Sequence, residues 1–316
     1  CFSSARGVSI NEDVNKLLIG STLNSDPPDH DKTRTITFNP LTPKALTTIK
    51  ERISIEAEQL VERMVKKEYF DGAAELAPYL PLTIVRDLVG LGDHGKENML
   101  QWGAATFELM GDPLERREAA ITNMKKLRTF LKDTATLENL ATDGWAQRAT
   151  QRGILEGLDK AAAAELMRDY IAPSLDTTIS AIGYAIWLFS KHPDQWTQLR
   201  ADRSQIKNAV EEIVRLNTPI RAFSRYTLHD TQLEGVPIRK NSRVLMVFGA
   251  ANRDPEKFPN PNEFNIQRNT RGHVGFGHGV HACLGMHLAR LEMEGLINAL
   301  ADRVKRCHLA GDVIPG

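Results

Sequence analysis

One cysteine in this chain stands where a thiolate could do chemistry. It closes a run crowded with glycines, Gly275-Phe276-Gly277-His278-Gly279-Val280-His281-Ala282-Cys283-Leu284-Gly285. Beyond it the pattern turns helical, with Leu284, Leu288, Leu291, Leu296, Leu300 and Val304 falling roughly on one face. Cys283 is therefore expected at a helix N-terminus, where unpaired N–H groups and the positive end of the dipole favour a thiolate as nucleophile or metal ligand. The upstream glycines let the backbone turn tightly and lie flat against a bulky group. Phe276, seven positions before the cysteine, can pack over the sulfur and keep water away. The competing reading of any lone cysteine is an inert buried thiol.

Three further groupings carry residue types suited to chemistry. In Asp26-Pro27-Pro28-Asp29-His30-Asp31-Lys32-Thr33-Arg34, prolines followed by acids predict the start of a helix. His30 and Arg34 then project from one face and can grip one anion together. A long apolar stretch, predicted as one helix over 161–191, carries Ala172-Pro173-Ser174-Leu175-Asp176-Thr177-Thr178 in its middle. Proline inside a helix costs about 3 kcal/mol, and Asp and Thr are weak helix formers, so a chain that keeps them there is expected to use them. Glu212 and Arg215, in a predicted helix over 205–216, are spaced to pair on one face, which by itself describes a weak surface ion pair.

The spacing Phe276-x-x-Gly279-x-His281-x-Cys283-x-Gly285 resembles the cysteine-ligand loop of the cytochrome P450 haem-thiolate monooxygenases. The resemblance implies a mainly α fold with small β-sheets, in which a long central helix lies over the haem and the cysteine loop beneath it. Cys283 would be the axial ligand of haem b, its sulfur pushing electron density onto iron and favouring O–O cleavage, with Phe276 and Gly285 alongside. The Asp-Pro-Pro-x-His-x-x-x-Arg run is similar to the family helix whose His and Arg bind a haem propionate. His30, Arg34, Arg225 and His281 are accordingly expected to neutralise the propionates by charge-assisted pairing.

Asp176 and Thr177 match the family's acid–alcohol pair for proton delivery to dioxygen. The small glycine that commonly precedes that pair is replaced by Ser174, with Pro173 before it. Pro173 removes the donor that would satisfy the Asp169 carbonyl, so the kink at the oxygen site is expected to arise by a different route. Glu212 and Arg215, joined by Arg268, match a buried structural network behind the cysteine loop.

The activity implied is a monooxygenase inserting one oxygen atom from O2 into a C–H bond. Its electrons would come from NAD(P)H through a reductase and a 2Fe–2S ferredoxin, because no flavin or nicotinamide fingerprint is present in these residues. The ferredoxin is expected on the cysteine face, with Arg271 and Arg290 as basic contacts. The stretches 3–8, 249–255 and 272–277 look most like the bacterial branch that oxidises para-substituted benzoates, including O-demethylation. Arg6 and Arg168 match arginines of that branch, but Asp169 and Ala172 stand where serines are expected. A carboxylate beside an anion site repels a benzoate, which points to a neutral or differently placed small aromatic. Phe107, Met110, Ala172, Ile220 and Phe223 are the other candidate substrate contacts. Alternatives are a peroxide-driven peroxygenase, disfavoured by Asp176 and Thr177, a haem-binding sensor or carrier, and a hydrolase using Ser174 or a cysteine, for which no nucleophile-elbow pattern exists.

The bulk of the chain fits such a protein. Its 316 residues carry 40 basic and 40 acidic side chains and are 41% hydrophobic, which suits a globular protein and gives no basic surplus for nucleic acid. Three cysteines without close spacing fit a reducing cytoplasm. No apolar run reaches the ~18 residues of a membrane span. The chain starts without Met and ends abruptly at Val313-Ile314-Pro315-Gly316, so one P450 domain over 1–316, cut at both ends, is expected. Positioning elements are predicted as helices over 42–67, 76–91, 102–110 and 114–132, the last two joined by a turn at Gly111-Asp112-Pro113. Short helices and loops are predicted over 133–160, an antiparallel sheet over 227–247, and a proline-rich meander over 251–265 leading to the cysteine loop.

Overall fold

A computed structural model describes residues 1–111, 115–311 and 313. In chain order the helices begin with α1 (Glu12–Leu18), α2 (Asp29–Phe38), α3 (Pro43–Met64), α4 (Arg86–Val89) and α5 (Met99–Gly111). They continue with α6 (Arg117–Asp133), α7 (Trp145–Leu155), α8 (Lys160–Glu165), α9 (Arg168–Ser174) and α10 (Thr177–Lys191). The last four are α11 (Pro193–Ala201), α12 (Ile206–Asn217), α13 (Phe248–Ala251) and α14 (Met286–Arg303). The strands are β1 (Phe2–Ser3), β2 (Phe223–Thr227), β3 (Thr231–Leu233), β4 (Val236–Ile238) and β5 (Arg243–Met246). Among the described residues no helix is long and apolar enough to cross a membrane. The predicted turn residues Asp112 and Pro113, and Ile314 to Gly316, lie outside the described residues.

Two compact units form. The first comprises Cys1–Pro40, Ile84–Asp176 and Ala222–Val247. In it α5 packs on α6 and α9, and α7 packs on α2, α4 and α8. Trp102 and Phe130 meet at 4.9 Å between ring centroids and Trp145 and Tyr170 at 5.7 Å, giving the core its largest apolar surfaces. Gly103 lets α5 lie directly on the end of α9: an added Cβ would stand 2.6 Å from Leu175 Cβ and 3.0 Å from its carbonyl oxygen. The antiparallel sheet β1-β2-β5 has Phe2 opposite Thr227 and Arg225 opposite Val244. β3 and β4 form a separate hairpin, turned by Glu234 and Gly235 at positive φ.

The second unit comprises Leu41–Thr83, Thr177–Arg221 and Phe248–Gly316. Thr42 caps α3 through the Ala45 N–H (3.3 Å), Pro43 occupies the first turn, and Leu46, Ile53, Ala57, Leu60, Val61 and Met64 recur at helical spacing on its buried face. That face meets α14, closely enough at Gly295 that an added Cβ would stand 3.0 Å from Ile53 Cγ2. α14 also packs on α10, α11 and α12. One turn from Leu288 and Leu296, it buries Glu292, whose Oε1 has no hydrogen-bond partner among the described residues. Burial pushes that carboxyl up to about 8.

Several predicted elements differ. The segment 76–91 is not one helix but two wide π-type turns, at Gly72–Leu76 and Pro81–Val85, followed by α4. Pro78 and Pro81 each lack the N–H that a regular α-helix would need there. The predicted helix over 161–191 is three helices, α8 to α10. The strand region divides into two sheets, because β2 finds its second partner in β1 at the far end of the sequence. Within 133–160, α7 is a full helix of 11 residues, and α1 forms in the polar lead-in through an Asn11 cap on the Asp13 N–H (2.9 Å).

Candidate active site

In the second unit the cysteine loop is laid along α12. Gly275 cannot carry a side chain, since a Cβ would stand 2.7 Å from Val214 Cγ1 and 2.9 Å from its carbonyl oxygen. Gly277 and Gly279 adopt φ of 70° and 72°, the left-handed region that lets the chain double back. The Cys283 N–H closes the loop by donating to the Phe276 carbonyl (2.7 Å). Cys283 and His281 are both partly buried. Cys283 stands at the N-terminal end of α14, two residues before its Gly285 cap, in the loop that leads into the helix at Met286. The Phe276 ring packs under a guanidinium, with Arg290 Cζ 4.7 Å from its centroid.

Behind the loop, Glu212 and Arg215 are fully buried rather than a surface pair. Arg215 Nε and Nη2 donate to the two Glu212 oxygens (2.7 and 2.8 Å), and Arg268 Nε adds a third bond (3.0 Å). The outer nitrogens of both arginines bind carbonyls of the meander: Arg215 those of Asn252 (2.7 Å) and Pro261 (2.8 Å), Arg268 those of Asn260 (2.9 Å) and Glu263 (3.0 Å). Each buried charge is thereby paired and hydrogen-bonded, which makes its burial tolerable.

A second carboxylate on α12 carries no assignment from the sequence. Glu211 accepts from Arg290 Nε (2.5 Å) and Nη2 (2.9 Å) and from His273 Nε2 (2.8 Å). Burial alone would raise this carboxyl, but the His273 and Arg290 hydrogen bonds outweigh it and hold it at about 2. Arg290, expected at the ferredoxin surface, is thus committed to an internal ion pair, while Arg271 is exposed. No spacing rule flags Glu211, because its partners lie 62 and 79 residues away.

In the first unit, His30 is buried on α2 with Nδ1 3.0 Å from Asp31 Oδ1, and Arg34, one turn on, is partly buried with its guanidinium 5.5 Å from the Phe38 ring centroid. Arg225, on β2, is partly buried, and among the described residues its guanidinium donates only to the Ser224 carbonyl (2.8 Å). Burial pulls its pKa down, partly offset by Asp26. Such an under-paired cation has room for an anionic partner.

Asp176 lies in the two-residue break between α9 and α10, and Thr177 opens α10. The break follows Pro173: Ser174 Oγ bonds back to the Tyr170 carbonyl (2.6 Å), and the Leu175 N–H reaches Ala172 O (3.4 Å) instead of continuing the α ladder. Asp176 is partly buried, and burial, followed by the charge of Glu108, raises its pKa. Glu108 itself pairs with Arg116 (3.1 Å).

The candidate substrate contacts have different surroundings. Phe107, Ile220 and Phe223 are partly buried and Ala172 is buried. Arg168 donates to the carbonyls of Leu17 and Ile19, both at 3.2 Å, and pairs with Glu165. Asp169 is partly buried, accepts from the Thr22 N–H (3.2 Å), and is held above the usual carboxylate range by desolvation. Arg6 is exposed and bonds to Asn241. Both arginines and Asp169 are thus engaged in fastening loops.

The cytochrome P450 family profile matches residues 105–302. Cytochrome P450 CYP199A2 of Rhodopseudomonas palustris is 33% identical over 98% of this chain and 76% of its own length. The chain belongs to the cytochrome P450 family. A steroid C26-monooxygenase of Rhodococcus jostii is 31% identical over 92% of this P450, which spans 61% of that relative. The solved structure of cytochrome P450 CREJ in complex with (4-ethylphenyl) dihydrogen phosphate superposes with a TM-score of 0.86 at 25% identity, covering 98% of this chain and 81% of its own.

This P450 is therefore an oxidoreductase, with haem b as cofactor, O2 as co-substrate, and electrons from NAD(P)H delivered through a redox partner. Its donor chemistry fits haem. Among the described residues no three His, Cys, Asp or Glu side chains gather to hold a bare metal ion. A porphyrin brings four of the iron's ligands with it, and Cys283 would supply a thiolate as a further one. The loop is open beside Gly279 and Gly285, where an added Cβ would meet nothing within 4 Å.

Proposed function

We propose that this P450 inserts one oxygen atom from O2 into a C–H bond of a small, uncharged aromatic substrate, by hydroxylation or oxidative O-demethylation. The reading is carried by the Cys283 loop, a single thiol presented on a glycine-built turn whose backbone closes through the Cys283–Phe276 hydrogen bond. Cys283 would ligate the iron, with Phe276, His281 and Gly285 around it, and His30, Arg34 and Arg225 would receive the propionates. Bound haem would supply the iron at which dioxygen is reduced and its O–O bond broken. Glu212, Arg215 and Arg268 would hold the meander that feeds the loop, and residues 1–316 would belong to one cytochrome P450 domain.

Asp176 and Thr177 would deliver protons. A carboxyl whose pKa is raised by burial keeps its proton at higher pH and can release it to a developing anion, and the adjacent hydroxyl can relay it. The break after Ser174 takes both groups out of an uninterrupted helical ladder.

Support for an aromatic substrate comes from CREJ, solved with an aryl phosphate. An uncharged one is favoured because Arg168, Asp169 and Arg6 are occupied by loop contacts. Phe107, Ala172, Ile220 and Phe223 supply apolar surface instead. Electrons would come from a 2Fe–2S ferredoxin docking near exposed Arg271.

The test is the absorption spectrum of the reduced, carbon-monoxide-bound protein, followed by titration with small aromatics. A strongly red-shifted Soret band, lost in Cys283→Ser, and a spin-state change with neutral aromatics are expected. Haem without that band would refute thiolate ligation.

A further inference from the structure

The cysteine loop is held on both flanks by one carboxylate. Upstream, His273 precedes the tight turn, and its Nδ1 accepts the Gly275 N–H (3.2 Å). With Nδ1 accepting, Nε2 carries the proton and donates it to Glu211 (2.8 Å). Downstream, Arg290 reaches back from α14 to the same carboxylate and lays its guanidinium on the Phe276 ring. The residue between these grips is Phe276, whose carbonyl accepts the Cys283 N–H at 2.7 Å. Glu211 and Val214 lie three residues apart on α12, so both touch the loop from one face, Glu211 through His273 and Val214 at the position only glycine can occupy.

We propose that Glu211 is a positioning residue for the haem ligand: it clamps His273 and Arg290 together and so fixes the Phe276 carbonyl that orients Cys283. This rests on thiolate ligation by Cys283. The physical logic is that of outer-shell partners of metal ligands, whose hydrogen bonds set the ligand's orientation. A single N–H···O=C bond to a flexible loop would let the sulfur wander, whereas a loop pinned at residues 273 and 276 by a half-buried, charge-assisted network keeps one geometry. Glu212, its neighbour, faces the meander instead, so the two adjacent acids serve different segments.

The test compares the haem-loaded parent with Glu211→Ala and Glu211→Gln. The readouts are far-UV circular dichroism, the carbon-monoxide Soret band of the reduced protein, and the rate of haem transfer to an excess of apomyoglobin. Glu211→Ala is expected to keep its helical signal, to shift part of the red-shifted band to the blue-shifted form, and to lose haem roughly 10-fold faster or more. Glu211→Gln, which retains an acceptor oxygen without the charge, should fall between the two. His273→Phe, which keeps an apolar ring but severs the upstream grip, should move both readouts in the same direction and stands in if Glu211→Ala does not fold. Unchanged spectra and haem-loss rates in folded Glu211→Ala or His273→Phe would overturn the proposal. A parent without the red-shifted band would instead overturn thiolate ligation itself.

Discussion

Glu292 offers the sharpest test of the buried electrostatics. It sits within α14 at 1% exposure, with Oε1 lacking any partner among the described residues, and burial pushes its carboxyl from the usual 4.5 up to about 8. The folded protein therefore keeps this proton over a pH range in which the unfolded chain has released it. Above pH 4.5 the unfolded state binds fewer protons than the native state, so stability falls as pH rises, by ~1.4 kcal/mol per pH unit, until the folded group ionises near pH 8. At pH 7 the accumulated cost is roughly 3 kcal/mol.

Glu292→Gln preserves the shape and cannot ionise. Its stability relative to the parent should be near zero at pH 4.5, grow steadily with pH, and level off above pH 8. For a chain of this size 3 kcal/mol corresponds to a rise in Tm of about 5 °C. Denaturant or thermal melts of the haem-loaded parent and variant across that range provide the assay, and because both share every other titrating group, the difference isolates Glu292. A difference independent of pH, or a variant less stable than the parent at pH 8, would show that Glu292 is ionised and partnered, refuting the reasoning.

Substitutions at two other positions probe the site. Glu212→Ala leaves fully buried Arg215 without its counter-charge and should cost about 3–5 kcal/mol, seen in denaturant melts, with Glu212→Gln less severe. Asp176→Asn keeps the shape at the helix break but not the transferable proton, so product formation should fall by ~10²-fold or more, while substrate-induced spectral change persists; unaltered turnover would remove Asp176 from proton delivery.

What the sequence determined by itself is the cysteine loop and its support. Glycines at 275, 277 and 279 and the fixed spacing to Cys283 encode a turn through local backbone freedom and short-range hydrogen bonds, which need no distant partner. The Glu212–Arg215 pairing follows likewise from helical spacing, although its burial does not. Pro173 announced a disturbance, but not that the chain would restart as a separate helix at Thr177. Only tertiary structure decided the rest. It placed His273 and Arg290 on Glu211, tied Arg168 and Asp169 to the segment 17–22, paired β1 with β2, and left Glu292 in an apolar core. The reason is physical: backbone conformation responds mainly to near neighbours, whereas burial and ion pairing depend on which distant segments packing brings together, and a charged side chain reads the same in sequence whether it meets water, a partner or neither.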